Sequence, residues 1–301
     1  MNRDRRSFLG CVLGALAVAA GWRRGLAAAL DRDIRFGYAA ITWGGEDRQA
    51  IDDIAAVGFR GIQLRAPAVA RWGERPQELN DLLAARGLTL VALSSGLVRL
   101  DPAHEAEDLA LHTHHARFLK DVGGLYLQIL DERPRGRAAV AEDYRRMGAL
   151  LTELGRRTAD LGIPLGYHNH MGNLGQAPDE VARVLDASDP RFVHLELDTA
   201  HYAQAGGDPA DAVRRHVDRL LFLHVKDVES PAPGGAPESY RFVELGRGTV
   251  DFPAFFTALR GARFRGWAVV ELDRPVDPAR SPKASAELAR AYLEQTLGFE
   301  V

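Results

Sequence analysis

An α/β fold, a single closed (β/α)8 barrel, is what this sequence predicts, and three observations predict it. From residue 34 onward, short β-branched or aliphatic runs alternate with amphipathic helical patterns, and the alternation repeats eight times. At 301 residues with 46% hydrophobic and 26% charged content, the chain can bury one large core, and a barrel of about 250 residues fits as one domain. Four successive strand-like runs in the second half each finish on ionisable side chains, as strands that meet at one barrel mouth would.

The strands read at 34 to 41, 61 to 66, 89 to 95, 124 to 130, 164 to 169, 193 to 199, 220 to 227 and 266 to 272. Helical patterns fill the gaps, at 47 to 57, 75 to 86, 103 to 121, 137 to 161, 178 to 187, 208 to 217, 253 to 260 and 283 to 297. Gly58, Gly87, Gly123 and Gly162 fall just after helical segments, where a residue at positive φ ends the helix before the next strand. Pro178, Asp208-Pro209 and Asp251 with Pro253 mark helix starts, because Asp accepts from the freed N–H groups and Pro has none to satisfy. The long irregular stretch at 228 to 248 follows the seventh strand, which places it on the active face as a candidate lid. Its Gly246-Arg247-Gly248 reads either as a phosphate cradle or, with more weight, as a plain turn. His104, His112, His114 and His115 fall on the third main helical pattern; Leu109, Ala116, Leu119 and Val122 form its buried stripe, leaving the histidines beside that stripe or in solvent.

Residues 1 to 29 read as an export leader rather than as fold. "MNRDRRSFLG" supplies Arg5 and Arg6, "CVLGALAVAAG" is an apolar core, and Ala27-Ala28-Ala29 offers a cleavage site. The Arg-Arg-x-Phe-Leu arrangement resembles a twin-arginine signal, with Asp4 and Gly10 as departures from the usual pattern; an ordinary secretory signal and an uncleaved anchor are the alternatives. The barrel domain then spans 30 to 301 and lies in the periplasm. Removing the leader's five Arg and one Asp takes the formal net charge from −3 to −7, which argues against nucleic acid as a partner. No later segment approaches the roughly 18 apolar residues of a membrane span, so no stable insertion is expected after cleavage. Cys11, the single cysteine, lies in the leader, so any metal must sit on His, Asp and Glu.

The runs that carry chemistry are "LGYHNH" (165 to 170), "VHLELDTAH" (193 to 201), "LLFLHVKD" (220 to 227) and "WAVVELD" (267 to 273). Strand side chains alternate faces, so His168 pairs with His170, Glu196 with Asp198, His224 with Lys226 and Glu271 with Asp273. An inward carboxylate or imidazole loses hydration and needs a partner or a metal to offset that loss. Two carboxylates and two imidazoles converging above the axis suit Mn²⁺, Co²⁺, Zn²⁺ or Fe²⁺ better than Mg²⁺. A structural ion-pair network in the barrel mouth is the plain alternative.

At these residues the chain resembles the sugar phosphate isomerase/epimerase superfamily, the xylose isomerase-like TIM barrels, and within it the inosose (2-keto-myo-inositol) dehydratase branch. The most specific pieces are "YHNHMGN", "LDTAHYAQAGGDP", "LHVKDV", "GRGTVDF" and "GWAVVELD", and the resemblance runs from "AAITWG" (39 to 44) to "AYLEQTLG" (291 to 298). It implies one divalent metal, Mn²⁺ or Co²⁺ before Zn²⁺ or Fe²⁺, held by Asp198, His224 and Glu271, with His168 where many relatives have glutamate. It also implies that His201, with His170 beside it, positions substrate or moves protons. Lys226 either stabilises developing negative charge or is tied up in a salt bridge to Asp198, Glu271 or Asp273. Glu196 is a second acid/base candidate or a partner for a rim arginine. Gln63 in "GIQLR" replaces a glutamate common in relatives, and a neutral amide cannot serve as general base.

The activity this implies is a metal-dependent lyase or isomerase acting on a polyhydroxy ketone, a keto-inositol or keto-sugar, through a metal-stabilised enediolate. Sugar isomerisation or epimerisation and elimination from a 3-keto-glycoside share the same first proton abstraction. An exported sugar-binding barrel without turnover is the non-enzyme alternative, and the sequence leaves a homo-oligomer open.

Overall fold

The computed structural model describes residues 33–231, 236 and 239–301, so the leader read at 1 to 29 lies outside the described residues. The barrel strands are β1 (Ile34–Ala39), β2 (Gly61–Arg65), β3 (Thr89–Val98), β4 (Tyr126–Asp131), β5 (Leu165–His168), β6 (Val193–Asp198), β7 (Leu220–Val225) and, after a separate hairpin of β8 (Asp227–Glu229) and β9 (Arg241–Val243), β10 (Gly266–Val270). They close in the order β1-β10-β7-β6-β5-β4-β3-β2, every neighbouring pair parallel. Strands such as Leu165–His168 and Gly266–Val270 are buried at every residue, since helices cover one face and the barrel interior the other.

Helices at Asp47–Val57, Pro76–Ala84, Glu105–Val122, Ala141–Ala159, Pro178–Asp186, Pro209–His216, Phe252–Gly261 and Pro282–Ala291 form the outer ring, each within a few residues of its expected bounds except the last, which gives way to a π turn at Tyr292–Thr296. Asp208 and Asp251 accept from Ala210 N–H and Ala254 N–H at 2.8 and 2.9 Å, capping their helices. Gly58 and Gly123 take φ of 112° and 81°, which a residue with a Cβ adopts only under strain. Helix Ala141–Ala159 packs so closely on the chain entering β6 that a Cβ on Gly155 would lie 2.4 Å from the Phe192 carbonyl oxygen. Among the described residues, no helix is long and apolar enough to cross a membrane.

Two expectations change, and the favoured reading of Gly246-Arg247-Gly248 as a plain turn stands. The stretch at 228 to 248 is not wholly irregular: β8 and β9 pair antiparallel, Asp227 opposite Val243 and Glu229 opposite Arg241. Gly246-Arg247-Gly248 holds no free cradle, because the N–H groups of Gly246 and Gly248 donate to Asp227 Oδ2 at 2.9 and 2.8 Å. His112 and His115 are buried rather than beside the stripe, 1% and 7% exposed, and both meet Ser95 Oγ through Nδ1 at 2.6 and 2.8 Å.

Candidate active site

The site begins inside the barrel, one layer below its C-terminal mouth. Strand pairing slips register at Ile62/Gln63 and at Leu195/Glu196, and such irregularities re-aim the side chains beside them. Gln63 and Glu196 both turn inward. Gln63 Nε2 donates to Gln128 Oε1 at 3.1 Å and Gln128 Nε2 donates to Glu196 Oε1 at 3.2 Å. His224 Nε2 closes this belt, 2.9 Å from Gln63 Oε1 and 2.7 Å from Glu196 Oε1. Carboxylate oxygens accept, and the Gln63 oxygen can only accept, so His224 carries its proton on Nε2. Glu196 therefore pairs with His224 and Gln128 in the interior and not with an arginine on the rim.

Nδ1 of His224 looks the other way, into the mouth, 3.6 Å from Asp198 Oδ2 and 3.4 Å from Glu271 Oε2. His168 Nδ1 sits 3.8 Å from Glu196 Oε2. One ligand atom each from His168, Asp198 and His224 lies within 4.8 Å of the others. Among the described residues, His168 Nδ1, Glu196 Oε2, Asp198 Oδ2, His201 Nε2 and His224 Nδ1 are buried without a hydrogen-bond partner. Buried polar atoms are nearly always paired, so unpartnered atoms on His168, Asp198 and His224, three residues whose ligand atoms lie within 4.8 Å of one another, mark a place built for something else. Two imidazole nitrogens and carboxylate oxygens, spaced too widely for hydrogen bonds and closely enough to share one ion, fit a divalent transition metal. The Nε2–H of His224 held on a carboxylate is the arrangement that orients a ligating imidazole.

Lys226 follows β7 and is 1% exposed. Its Nζ lies 2.9 Å from Glu271 Oε1, 2.6 Å from Asp273 Oδ1 and 3.9 Å above the Phe242 ring, so the salt-bridge reading of this lysine holds for Glu271 and Asp273. Phe242, on β9, also lays its ring edgewise on His201 with centroids 4.8 Å apart. His201 N–H caps onto Asp198 Oδ1 at 2.8 Å, and the rings of His170 and His201 lie 3.8 Å apart. Asn169 clamps the ends of β5 and β6, accepting from Asp198 N–H at 2.9 Å and donating to the Asp198 carbonyl at 3.2 Å. Thr199 Oγ1 likewise accepts from Lys226 N–H and donates to the Lys226 carbonyl.

Burial pushes the Glu196 carboxyl up to about 7. Burial also opposes a charge on His224, but the carboxylates of Glu196 and Glu271 outweigh it and hold the ring well above the ordinary histidine value. His168 and His201 fall well below that value, by burial first, with His224 and His170 adding to it at His168 and Lys226 at His201. Against their burial, Lys226 is raised by Glu271, Asp198 and Asp273, and Glu271 is lowered by Lys226, His224 and His168. Lys226 is thus a fixed cation and Glu271 a fixed anion.

The structure therefore brings His168, Asp198, His224 and Glu271 together and surrounds them with His170, His201, Lys226 and Glu196. Gln128, Asn169 and Phe242 escaped the sequence reading: a lone amide in an apolar strand and an aromatic in a loop carry no periodic signal, although Asn169 sat inside a quoted motif.

The family model described as xylose isomerase-like TIM barrel matches residues 51–295. Inosose dehydratase of Bacillus velezensis is 28% identical over 303 residues, covering 88% of this chain and 97% of that protein. Inosose dehydratase of Lacticaseibacillus casei is 27% identical over 306 residues, covering 88% and 98%. Among solved structures, the IOLI protein with a binding zinc atom superposes with a TM-score of 0.74 at 16% identity, covering 89% of this chain and 100% of that one. D-allulose 3-epimerase from Methylomonas gives 0.70 at 24% identity, covering 87% and 97%. These two likenesses bear on the fold alone; the family match, over most of the length and every strand that carries the site, decides the affiliation. This chain belongs to the xylose isomerase-like TIM barrel family.

Proposed function

We propose that this barrel is a divalent-metal-dependent lyase or isomerase acting on a polyhydroxy ketone, a keto-inositol or keto-sugar. The observation that carries the reading is that His168, Asp198 and His224 each hold a buried, unpartnered ligand atom and converge within 4.8 Å. His168 Nδ1, Asp198 Oδ2, His224 Nδ1 and Glu271 Oε2 would hold the ion, with Mn²⁺ or Co²⁺ favoured and Zn²⁺ or Fe²⁺ as alternatives. When bound, it would polarise a carbonyl and an adjacent hydroxyl and so acidify the proton α to the carbonyl.

The remaining steps fall to the side chains. Lys226 keeps its proton and sits against Glu271, so it serves as a donor facing negative charge as that charge develops, and never as the base. Glu196, beneath the mouth, holds His224 in orientation through Oε1, and its unpartnered Oε2, on a carboxyl raised by burial to about 7, is the base that takes the α-proton. His170 and His201 line the side roofed by Phe242 and contact the substrate. Gln63 is a member of the belt and takes no proton. The names of the inosose dehydratase relatives support dehydration as the outcome over isomerisation. We also propose export to the periplasm, on Arg5-Arg6 and the Ala27 to Ala29 site.

Screening purified, metal-loaded protein by NMR against keto-inositols, ketohexoses and 3-keto-glycosides separates water loss, isomerisation and glycoside cleavage. Loss of water from a keto-inositol is the expected result. Inertness of the metal-loaded protein toward all three classes would refute the reading.

A further inference from the structure

The hairpin that covers Lys226 also continues outward. Phe242 meets Lys226 Nζ at 3.9 Å, and the Tyr240 ring packs on Phe242 with centroids 5.5 Å apart. Tyr240 and Phe242 stand two residues apart on extended chain, so they leave it on one face. Lys226 is 1% exposed and Tyr240 is 38% exposed, so an aromatic surface runs from the buried charge at the mouth to solvent.

Tyr240, Arg241, Phe242, Asp273 and Arg274 line a cavity of about 350 Å³ beside that surface. Two of its walls belong to the mouth as well, because Phe242 and Asp273 both touch Lys226, the latter through Oδ1 at 2.6 Å. A ligand that fills the mouth on the Lys226 side therefore meets this cavity next. Its volume is at the small end of the roughly 300–1,000 Å³ of ligand pockets, which is room for one more ring and not for a chain. The walls name the kind of ring. Tyr240 and Phe242 offer flat apolar surface, while Asp273 and Arg274 offer a carboxylate that accepts and a guanidinium that donates in a fixed fork, the pair that suits adjacent hydroxyls. An anionic group is not what the charges favour: Arg241 is neutralised by Glu229 at 2.7 Å, and Asp273 stands next to Arg274. Another groove, of about 390 Å³, flanks the mouth at the ends of β3 to β5, but it has no aromatic ring among its described lining residues, and its Arg99 and Arg133 are held by Asp108 and Glu180.

We infer that the Tyr240–Phe242 cavity is a subsite for a second, neutral sugar ring, so that the chain acts on a polyhydroxy ketone carrying a glycosyl substituent. This rests on the proposed polyhydroxy ketone site and extends it to a substrate of two rings, the ketone ring over His168, Asp198, His224 and Glu271 and the second ring on Tyr240 between Asp273 and Arg274.

The test is calorimetric binding to the metal-loaded protein. Bare ketones, a keto-inositol and fructose, are compared with turanose, maltulose and isomaltulose, in which fructose carries a glucosyl ring at O3, O4 or O6. At least one linkage should bind about tenfold or more tighter than fructose. That ratio should fall by about 3- to 10-fold in Tyr240→Ala, the size of one aromatic contact, stay near wild type in Tyr240→Phe, which keeps the ring, and fall in Arg274→Ala. It should not move in Arg135→Ala, a fully solvated side chain of the other groove. A ratio unchanged by Tyr240→Ala would overturn the subsite, and so would a ratio lost in Arg135→Ala, which would put the second ring over β3 to β5. Binding of bare ketones with no gain from any linkage would sink the subsite alone and leave the ketone reading standing. Failure of every ketone to bind, bare or substituted, would sink the ketone reading and the subsite with it.

Discussion

Replacing Asp227 by Asn changes one atom and should loosen the roof of the site. Asp227 is fully buried, and its two oxygens serve four backbone donors: Oδ2 takes Gly246 N–H and Gly248 N–H at 2.9 and 2.8 Å, and Oδ1 takes Val228 N–H and Val250 N–H at 2.9 and 3.2 Å. An amide offers one oxygen. Whichever way Asn is turned, two N–H groups lose their acceptor and face a second donor. At about 1–3 kcal/mol for each stranded group, the cost is roughly 2–6 kcal/mol. For a domain of this size a kcal/mol corresponds to about 2–4 °C, so melting should fall by about 5 °C or more. The same change frees the base of the hairpin that carries Phe242, so turnover should fall more steeply than the folded fraction at 25 °C. Differential scanning calorimetry and steady-state kinetics on one preparation read both. A melting point within about 1 °C of wild type would show that the four contacts do not hold the loop, and the argument would fail.

Elemental analysis of the metal-loaded protein should find close to one metal per chain, with most of it lost in Asp198→Ala and in Glu271→Gln; full retention in His168→Ala would move His168 to the substrate side. Because Glu196 and Glu271 hold His224 protonated in the metal-free protein, an ion taking its Nδ1 must displace a proton, so apparent affinity should rise with pH until that proton is lost without help. Calorimetry in buffers of different ionisation heat reads the release, and a proton count of zero near neutral pH would contradict it. Lys226→Met should keep its metal while kcat drops by about 10²–10⁴, and near-normal turnover would strip Lys226 of a role in the reaction. N-terminal sequencing of protein recovered from the periplasm should begin near Leu30, and an intact Met1 would end the export proposal.

The barrel was legible because its strands are short apolar runs, four of them preceded by a helix-ending glycine (Gly58, Gly87, Gly123 and Gly162), and because polar residues at the ends of buried strands are too costly to be incidental. His168, Asp198, His224 and Glu271 came from that cost together with the family resemblance. The belt beneath them was harder to see. Gln128 stands alone in "YLQILD", and only the closed barrel reveals that it bridges Gln63 to Glu196. His112 misled for a related reason: it follows Leu109 by three residues and so lies on the buried stripe, where Ser95 from β3 satisfies it. The three-residue strands of the hairpin are too short for any periodicity, and their pairing depends on Asp227, whose partners lie about twenty residues away.

Phe242 has two clients, one face for the Lys226 ammonium and one edge for His201, and this gives the hairpin an electrical consequence. Attraction between Lys226 and Glu271 is strong only while water is kept from between them, because the effective dielectric constant falls from about 80 in water to about 20 at a protein surface and lower inside. Lifting β9 would admit water to Lys226, weaken its hold on Glu271 and uncover the His201 ring in a single movement. The position of one aromatic ring therefore sets the local permittivity in which both sides of the mouth operate, so that the strength of the site's charges depends on the same two short strands.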